Sequence, residues 1–417
     1  MAIYRIGGST FDTDGPAGSA LLAAAHASKG RPLCPCQGAG VEMYIAKSGE
    51  RYLVKRMPNT GGDHSPECDS FEPPAELSGA GEVQGSAIQE SPGEDVTRLK
   101  LGFSLLRTGA KRAPEASGTE PTSVSTRGSR LTLRGLLHYL WDEAKLNRWA
   151  PGMAGRRSWG VVRRELLRAA ENKEANGGAL AQCLFIPETF VLERADEIRG
   201  RRDGRLASVK RPPKGPRPLM LAIAEVKAVA PARYGHKMTF RHLSDFPFFL
   251  DDELHSALLN RFAVALDLSS AVEDSHLVAI GTFGLSESGL AHLEEVSLMV
   301  TASNWLPFET VHEKQLLDVM TAQGRRFIKG LRYNLPSSKP LASVVATDTA
   351  AGATAMYIVQ PGASDEYRDS LDALIAESRF TAWRCDVAGE GMPAVPPAPA
   401  RALPPPQRAL PDLRGAG

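Results

Sequence analysis

Four residues of the chain have the types and spacing of a metal site. Cys34-Pro-Cys36 precedes a run that reads as a hairpin, and His64-Ser-Pro-Glu-Cys68 follows it. Two ligands from a tight knuckle and two from a following turn are what a tetrahedral structural zinc needs. His64 and Cys68 are four apart, so one turn of helix, or a turn fixed by Pro66, puts them on one side. Gly61-Gly62 lets the chain bend into the site. Cys34, Cys36, His64 and Cys68 are therefore the expected zinc ligands. Four protein ligands leave no open position, so the expected role is structural. The competing reading is a set of buried thiols. Asp63, Asp69 and His26 lie near enough in sequence to support the ligands, or to do nothing there.

A second chemistry is suggested by acids and lysines. Glu225-Val-Lys227 ends an apolar run, and Asp203 lies 22 residues upstream. An acid and a lysine two apart on a strand share one face. A nuclease uses such a set to hold Mg²⁺ and position an attacking water. A half-buried ion pair explains the same pattern. A third pattern interleaves arginine with aromatic residues. Trp141, Arg148, Trp149, Arg156, Arg157, Trp159, Arg163 and Arg164 form one group. Tyr234, His236, Lys237, Arg241 and His242 form another. Such mixtures can grip phosphate and stack bases, or be core anchors beside a solvated helix face. No Walker loop, G-x-G-x-x-G or G-x-S-x-G is present. Cys183 and Cys385 sit beside apolar residues and are expected to be buried and inert.

These groups need elements to place them. Residues 41–56 read as two β-rich runs around a polar turn, a hairpin signal. Leu99, Leu101, Phe103 and Leu105 alternate with Lys100, Gly102 and Ser104, the period of a half-buried strand. Residues 131–146 have helical spacing with Thr132 as N-cap, and 161–170 read as a second helix. The gap between them is too long for a helix-turn-helix pair. Strands are expected at 184–187, 219–227, 276–283 and 296–301, and a helix at 251–268. Phe246-Pro-Phe-Phe-Leu reads as an apolar turn. Further on, a helix is expected at 312–331 and strands at 332–335, 341–347, 353–360 and 381–387, with a helix at 365–378 before the last. Residues 201–217 read as an exposed basic loop.

The spacing thus predicts an α+β, multi-domain protein. A small zinc-stabilised β unit spans 1–107, and a flexible linker 108–128. A basic central α+β domain spans 129–310, and an α-β-β-β-α-β unit 311–390. Residues 391–417 hold eight prolines and are expected to be a disordered tail. The order of the third unit resembles the core of the PD-(D/E)xK nuclease fold. That resemblance places its first acid at Asp348, which ends the 341–347 run. The next run, ATAMYIVQ, supplies neither acid nor lysine, so this copy is degenerate. Lys329 and Arg332 could grip phosphate there, though surface charge is the simpler expectation.

The segments RPLCPCQGAGVEMYIAK, HSPECDSFEPP, LTLRGLLHYLWDEAKLNRW, LMLAIAEVK and FIKGLRYNLP resemble the bacterial domain-of-unknown-function family 1173. The resemblance runs over about 1–390. Members of that family are similar to genes on integrative and conjugative elements and plasmids. It implies a role in mobile-element biology and no particular reaction.

Composition narrows the classes. The chain has 417 residues, 42% hydrophobic and 23% charged, ordinary for a globular protein. No run reaches the ~18 apolar residues a membrane span requires, so no membrane insertion is expected. Five cysteines argue against a secreted disulfide scaffold, and a cytoplasmic setting is expected. Lys+Arg is 49 and Asp+Glu 48, but the charge is uneven. Residues 101–241 carry 27 basic and 13 acidic residues; 242–300 carry one and ten. The basic block can meet nucleic acid or dock on its acidic neighbour.

The reading that follows is a zinc-binding accessory protein of mobile elements, not an enzyme, that binds nucleic acid, DNA being one candidate partner, through its basic middle. Arg148, Arg156, Arg157, Arg163, Arg164, Lys237 and Arg241 are its candidate contacts. The alternatives are a Mg²⁺-dependent nuclease using Glu225, Lys227 or Asp348, and a scaffold for conjugation-system proteins.

Overall fold

The computed structural model describes residues 3–13, 16–91, 95–107, 128–209, 217–389 and 391–399. The N-terminal chain runs β1 (Ile3–Ile6), β2 (Ser9–Asp12), α1 (Pro16–Ala27), β3 (Leu33–Cys34), β4 (Val41–Ser48) and β5 (Arg51–Arg56). The strands form one antiparallel sheet in the order β2-β1-β3-β4-β5. β4 and β5 are the expected hairpin. Leu22 and Ala25 of α1 bury against Ile45, and Tyr4, Cys34 and Met43 form a second small cluster. Cores of this size contribute little on their own.

The next sheet crosses the expected domain boundary. Strands Ile88–Glu90 and Thr97–Leu99 are joined by Lys173–Ala175 and Gly178–Ala179. Leu99, Leu101 and Phe103 are buried and Lys100, Gly102 and Ser104 exposed, as their alternation requires. Only 97–99 is hydrogen-bonded as a strand; beyond it Leu101 bridges Leu131. Their core is shared with helix Leu133–Glu143 and helix Trp159–Ala169. The expected linker lies, apart from Gly128, outside the described residues. The basic stretch from 201, expected as a loop, begins as helix Ala195–Leu206.

Five strands then close on themselves. Met220–Pro231, His236–Phe240, Phe248–Leu250, Ala291–Thr301 and His276–Leu285 are neighbours in that order, and the last pairs back to the first. The first strand serves two partners. Its residues 220–225 pair with His276–Leu285, and after a bulge at Val226/Ala228 it pairs with His236–Phe240. A bulge bends and twists a strand enough to do this. The third and fifth strands in chain order are parallel; helices Asp252–Arg261 and Ala263–Ala271 lie between the third and fourth. Met220, Ala222, Met238, Phe240, Phe248, Leu250, Phe283 and Leu293 fill the interior. Phe246–Leu250, expected as a turn, therefore supplies a barrel strand. Leu221, Ile223, Val278 and Ile280 point outward onto helix Leu133–Glu143.

The C-terminal unit has the expected element order. Helix Val311–Ala322 leads to strands Phe327–Lys329, Val344–Thr349 and Gly352–Val359, helix Asp365–Glu377 and strand Thr381–Asp386. The final strand lies parallel beside Gly352–Val359. Two boundaries differ. The helix stops at Ala322, where Gly324 has φ +63 and ends it. Residues 332–335 are not a strand, because Tyr333 has φ +47. Arg148–Trp149 adds a fifth strand beside Phe327–Lys329, so this sheet also crosses an expected boundary. The expected mobile tail is tied down over 391–399: Trp383 Nε1 donates to Ala394 O at 3.0 Å, and the Ala350 amide to Pro397 O at 3.1 Å. Residues 400–417 lie outside the described residues.

His138 gives the fold an acid sensitivity. Its Nδ1 accepts the Tyr333 amide at 2.9 Å. Burial, aided by Arg134, pushes its pKa down to about 3. The folded protein holds it neutral, whereas the unfolded chain protonates it near pH 6.5. Its contribution is thus complete above pH 6.5 and drains as pH falls toward about 3. Asp142, raised to about 6 chiefly by burial, works the other way, losing stability as pH rises from about 4 to 6. His138→Gln keeps an acceptor and removes the titration. Its melting temperature is expected to fall less between pH 7 and 5 than the parent's, which a scan of Tm against pH reads directly.

Candidate metal centre

Cys34 ends β3, where it pairs with Val41 of β4. The chain then turns through Pro35–Gly40 and carries Cys36 back over the sheet. Gly40 needs its φ of +108, and a Cβ there would lie 3.0 Å from Leu33 Cβ. After β5 a short turn at Gly61–Asp63 delivers His64, and Cys68 follows with its amide on Ser65 O at 2.8 Å. Gly61 is required because a Cβ would fall 2.4 Å from Glu72 Cβ. The Glu72 amide donates to Gly61 O at 3.1 Å and closes the loop.

The four candidate ligands converge. Cys34 Sγ is 3.6 Å from Cys68 Sγ, and His64 Nδ1 is 3.3 Å from Cys36 Sγ and 3.7 Å from Cys68 Sγ. All four ligand atoms lie within 4.8 Å of one another. A tetrahedral ion bonded at about 2.3 Å to sulfur and about 2.0 Å to nitrogen sets these separations at about 3.8 and 3.5 Å. The cluster can therefore hold a metal ion. His64 is only 1% exposed, and burial lowers its pKa, which keeps it in the neutral form a metal needs. Burial and the neighbouring thiols push Cys34 up to about 12 and raise Cys68. A bound cation supplies the charge that would let them ionise. The Ser70 amide already donates to Cys68 Sγ at 3.4 Å.

The loop that carries His64 and Cys68 is clamped from three sides. Arg56 of β5 pairs with Glu72. Lys145 and Arg148 donate to Asp69 O at 3.3 and 3.1 Å. Arg379, from the C-terminal unit, donates to Gly62 O at 2.6 Å, and Phe71 packs near Phe380. The metal loop thus joins the N-terminal sheet to the rest of the molecule. No local sequence signal marks Arg56, Glu72 or Arg379 as clamps. Of the suspected supporting groups, Asp69 acts through its carbonyl, while His26 instead faces Asp95 at 3.4 Å.

The acids of the acid–lysine sets are each held in an ion pair. Among the described residues, the Cys/His group is the only cluster of three or more ligand-type residues close enough to share an ion. Asp203 pairs with its neighbour Arg202 on an exposed helix. Glu225 is buried and receives Arg241 Nε at 2.7 Å and His276 Nδ1 at 2.8 Å, while Lys227 is exposed. Asp348 is held by Arg325 at 3.1 Å and by the Arg326 amide at 2.8 Å. Lys329 and Arg332 are not surface charges. Lys329 is buried against Glu313 at 3.1 Å, and Arg332 pairs with Glu309 at 2.6 Å.

The basic candidates divide. Arg148 holds the metal loop. Arg157 donates to the carbonyls of Leu146 and Asn304, and burial lowers its pKa to about 10. Arg163 donates to Ile186 O, and Arg164 pairs with Glu165. Arg241 faces Glu225 but stays exposed, as does Arg156; Lys237 is half-buried. Trp141 and Trp159 are core anchors that donate to backbone carbonyls of Trp305 and Pro187. Cys385 is buried as expected, whereas Cys183 is only half-buried.

A mixed α+β protein with a Cys₃His cluster is the class that this fold and site define. Its sequence matches the family described as "Protein of unknown function (DUF1173)" over residues 4–387, most of the chain, and the protein belongs to that family. No curated protein and no solved structure matches it. Among the described residues, no helix is long and apolar enough to cross a membrane.

Proposed function

We propose a zinc-stapled accessory protein of mobile elements that binds nucleic acid through its basic central region. Three thiolates and one imidazole in a tetrahedral arrangement favour zinc over the harder divalent ions, and the closed ligand set supports a structural role. The mobile-element setting rests on the family resemblance. One observation carries the nucleic-acid reading. Residues 226–242 hold Lys227, Arg233, Lys237 and Arg241 and no acid. Lys227, Arg233 and Lys237 pair with no carboxylate among the described residues. Unspent positive charge gathered on one segment is what phosphate contacts require.

The test is a salt titration of binding to single- and double-stranded DNA and RNA, using protein assayed for zinc. Affinity is expected to fall steeply with salt. Replacing Lys227, Arg233 and Lys237 together by alanine should flatten the slope of log K against log salt by about 2 to 3. An absence of binding at low salt overturns the reading.

A second reading has support from other arginines. Arg199 and Arg202 pair with Asp245, and Arg107 with Glu294. Part of the basic block is thus spent on the acidic segment, as a scaffold that carries no nucleic acid would spend it.

A further inference from the structure

The closed barrel of residues 220–301 has a specific connectivity. Numbered in chain order, its strands are neighbours in the order 1-2-3-5-4 and back to 1. Strands 3 and 5 are parallel, the helical segment falls between strands 3 and 4, and strand 1 is bulged so that it serves both neighbours. This is the topology of the OB barrel. That barrel takes oligonucleotides or oligosaccharides on the outer face of strands 2 and 3, between the loops joining strands 1–2 and 4–5.

The side chains at that place suit a polyanion with exposed bases. Met238, Phe240, Phe248 and Leu250 point inward, so Lys237, Thr239 and Phe249 point outward. Ala230, Lys237, Phe249 and His292 lie side by side across strands 1, 2, 3 and 5. The rings of Phe249 and His292 are 5.7 Å apart. In the 1–2 loop, Tyr234 is 79% exposed, with the Arg233 guanidinium 5.4 Å from its ring centre. In the 4–5 loop, Leu290 is an exposed apolar side chain. Of the acids beside these strands, Glu294 pairs with Arg107 and Asp251 caps the helix that follows strand 3, while Asp252 stays exposed 3.3 Å from His236.

We propose that this face binds single-stranded nucleic acid, with Tyr234 and Phe249 stacking on bases and Arg233 and Lys237 on phosphates. The basic residues favour a polynucleotide over a neutral glycan. Duplex DNA hides its base faces, so stacking platforms select the single strand. This inference rests on the nucleic-acid reading above and names its partner.

The test is fluorescence anisotropy of the full, zinc-assayed chain with labelled oligo-dT, oligo-U and a mixed-sequence duplex. Tyr234→Ala removes a ring that stands in solvent, and Phe249→Leu keeps an apolar contact with the barrel. Single strands are expected to bind more tightly than the duplex. The double variant should lose at least about tenfold in single-strand affinity with duplex binding unchanged. The oligo-dT and oligo-U arms tell DNA from RNA. Binding that is indifferent to both substitutions, or a preference for duplex, overturns this inference and leaves the broader reading standing. No binding to any of the three overturns the broader reading as well.

Discussion

Cys36→Ser is expected to strip the protein of its metal and to open residues 30–75 to protease. Cys36 is only half-buried, so the exchange of sulfur for oxygen disturbs little packing. What it removes is a soft ligand 3.3 Å from His64 Nδ1. Structural zinc binding in small peptides is worth about 10–16 kcal/mol at neutral pH. The two small apolar clusters of the N-terminal sheet offer nothing comparable. Loss of the ion should therefore free the 61–72 loop and loosen the sheet behind it. Metal analysis and limited proteolysis read by mass spectrometry check both halves. A variant with undiminished metal content would remove the site from consideration.

The second large effect is expected at Glu313. Its carboxylate accepts Lys329 Nζ at 3.1 Å, and the side chains are 7% and 3% exposed. It also accepts the Glu309 amide at 2.8 Å and lies in the first turn of the helix that Thr310 caps. Glu313→Ala leaves an ammonium buried without its counter-charge, and breaking such a pair costs about 3–5 kcal/mol. Replacing both partners, Glu313→Leu with Lys329→Met, should recover most of that loss, because an apolar pair of similar volume is often neutral or better. Urea midpoints, with hydrogen exchange at Phe327–Lys329, distinguish the two variants. A single variant as stable as the parent would mean that Lys329 discharges or reaches water.

Much of the local structure was legible. The Thr132 cap, the 41–56 hairpin and the alternation over 99–105 follow from short-range rules, and the structure has them. The four candidate ligands were legible as a set, because soft ligand types around a hairpin have few other uses, and the structure brings them within 4.8 Å of one another. What failed was long-range. Nothing near Thr97 announces its parallel partner Lys173, and nothing in the Arg148 segment announces a strand beside Phe327. Three-residue strands have no readable period, so the Phe248–Leu250 barrel strand looked like a turn. Charges misled for a related reason. Lys329 reads as a surface residue until its partner, 16 positions away, is placed on it.

The clamp on the metal loop has a consequence for the order of synthesis. Arg379 donates to Gly62 from 317 residues further along the chain. On the ribosome, all four ligands are made long before Arg379, Phe380 or even Lys145 exists. The nascent loop can thus meet its ion while the surfaces that later close over it are still unmade. An ion taken up at that stage would be closed in when the C-terminal unit folds against the loop. The finished protein should exchange its metal far more slowly than it first acquired it.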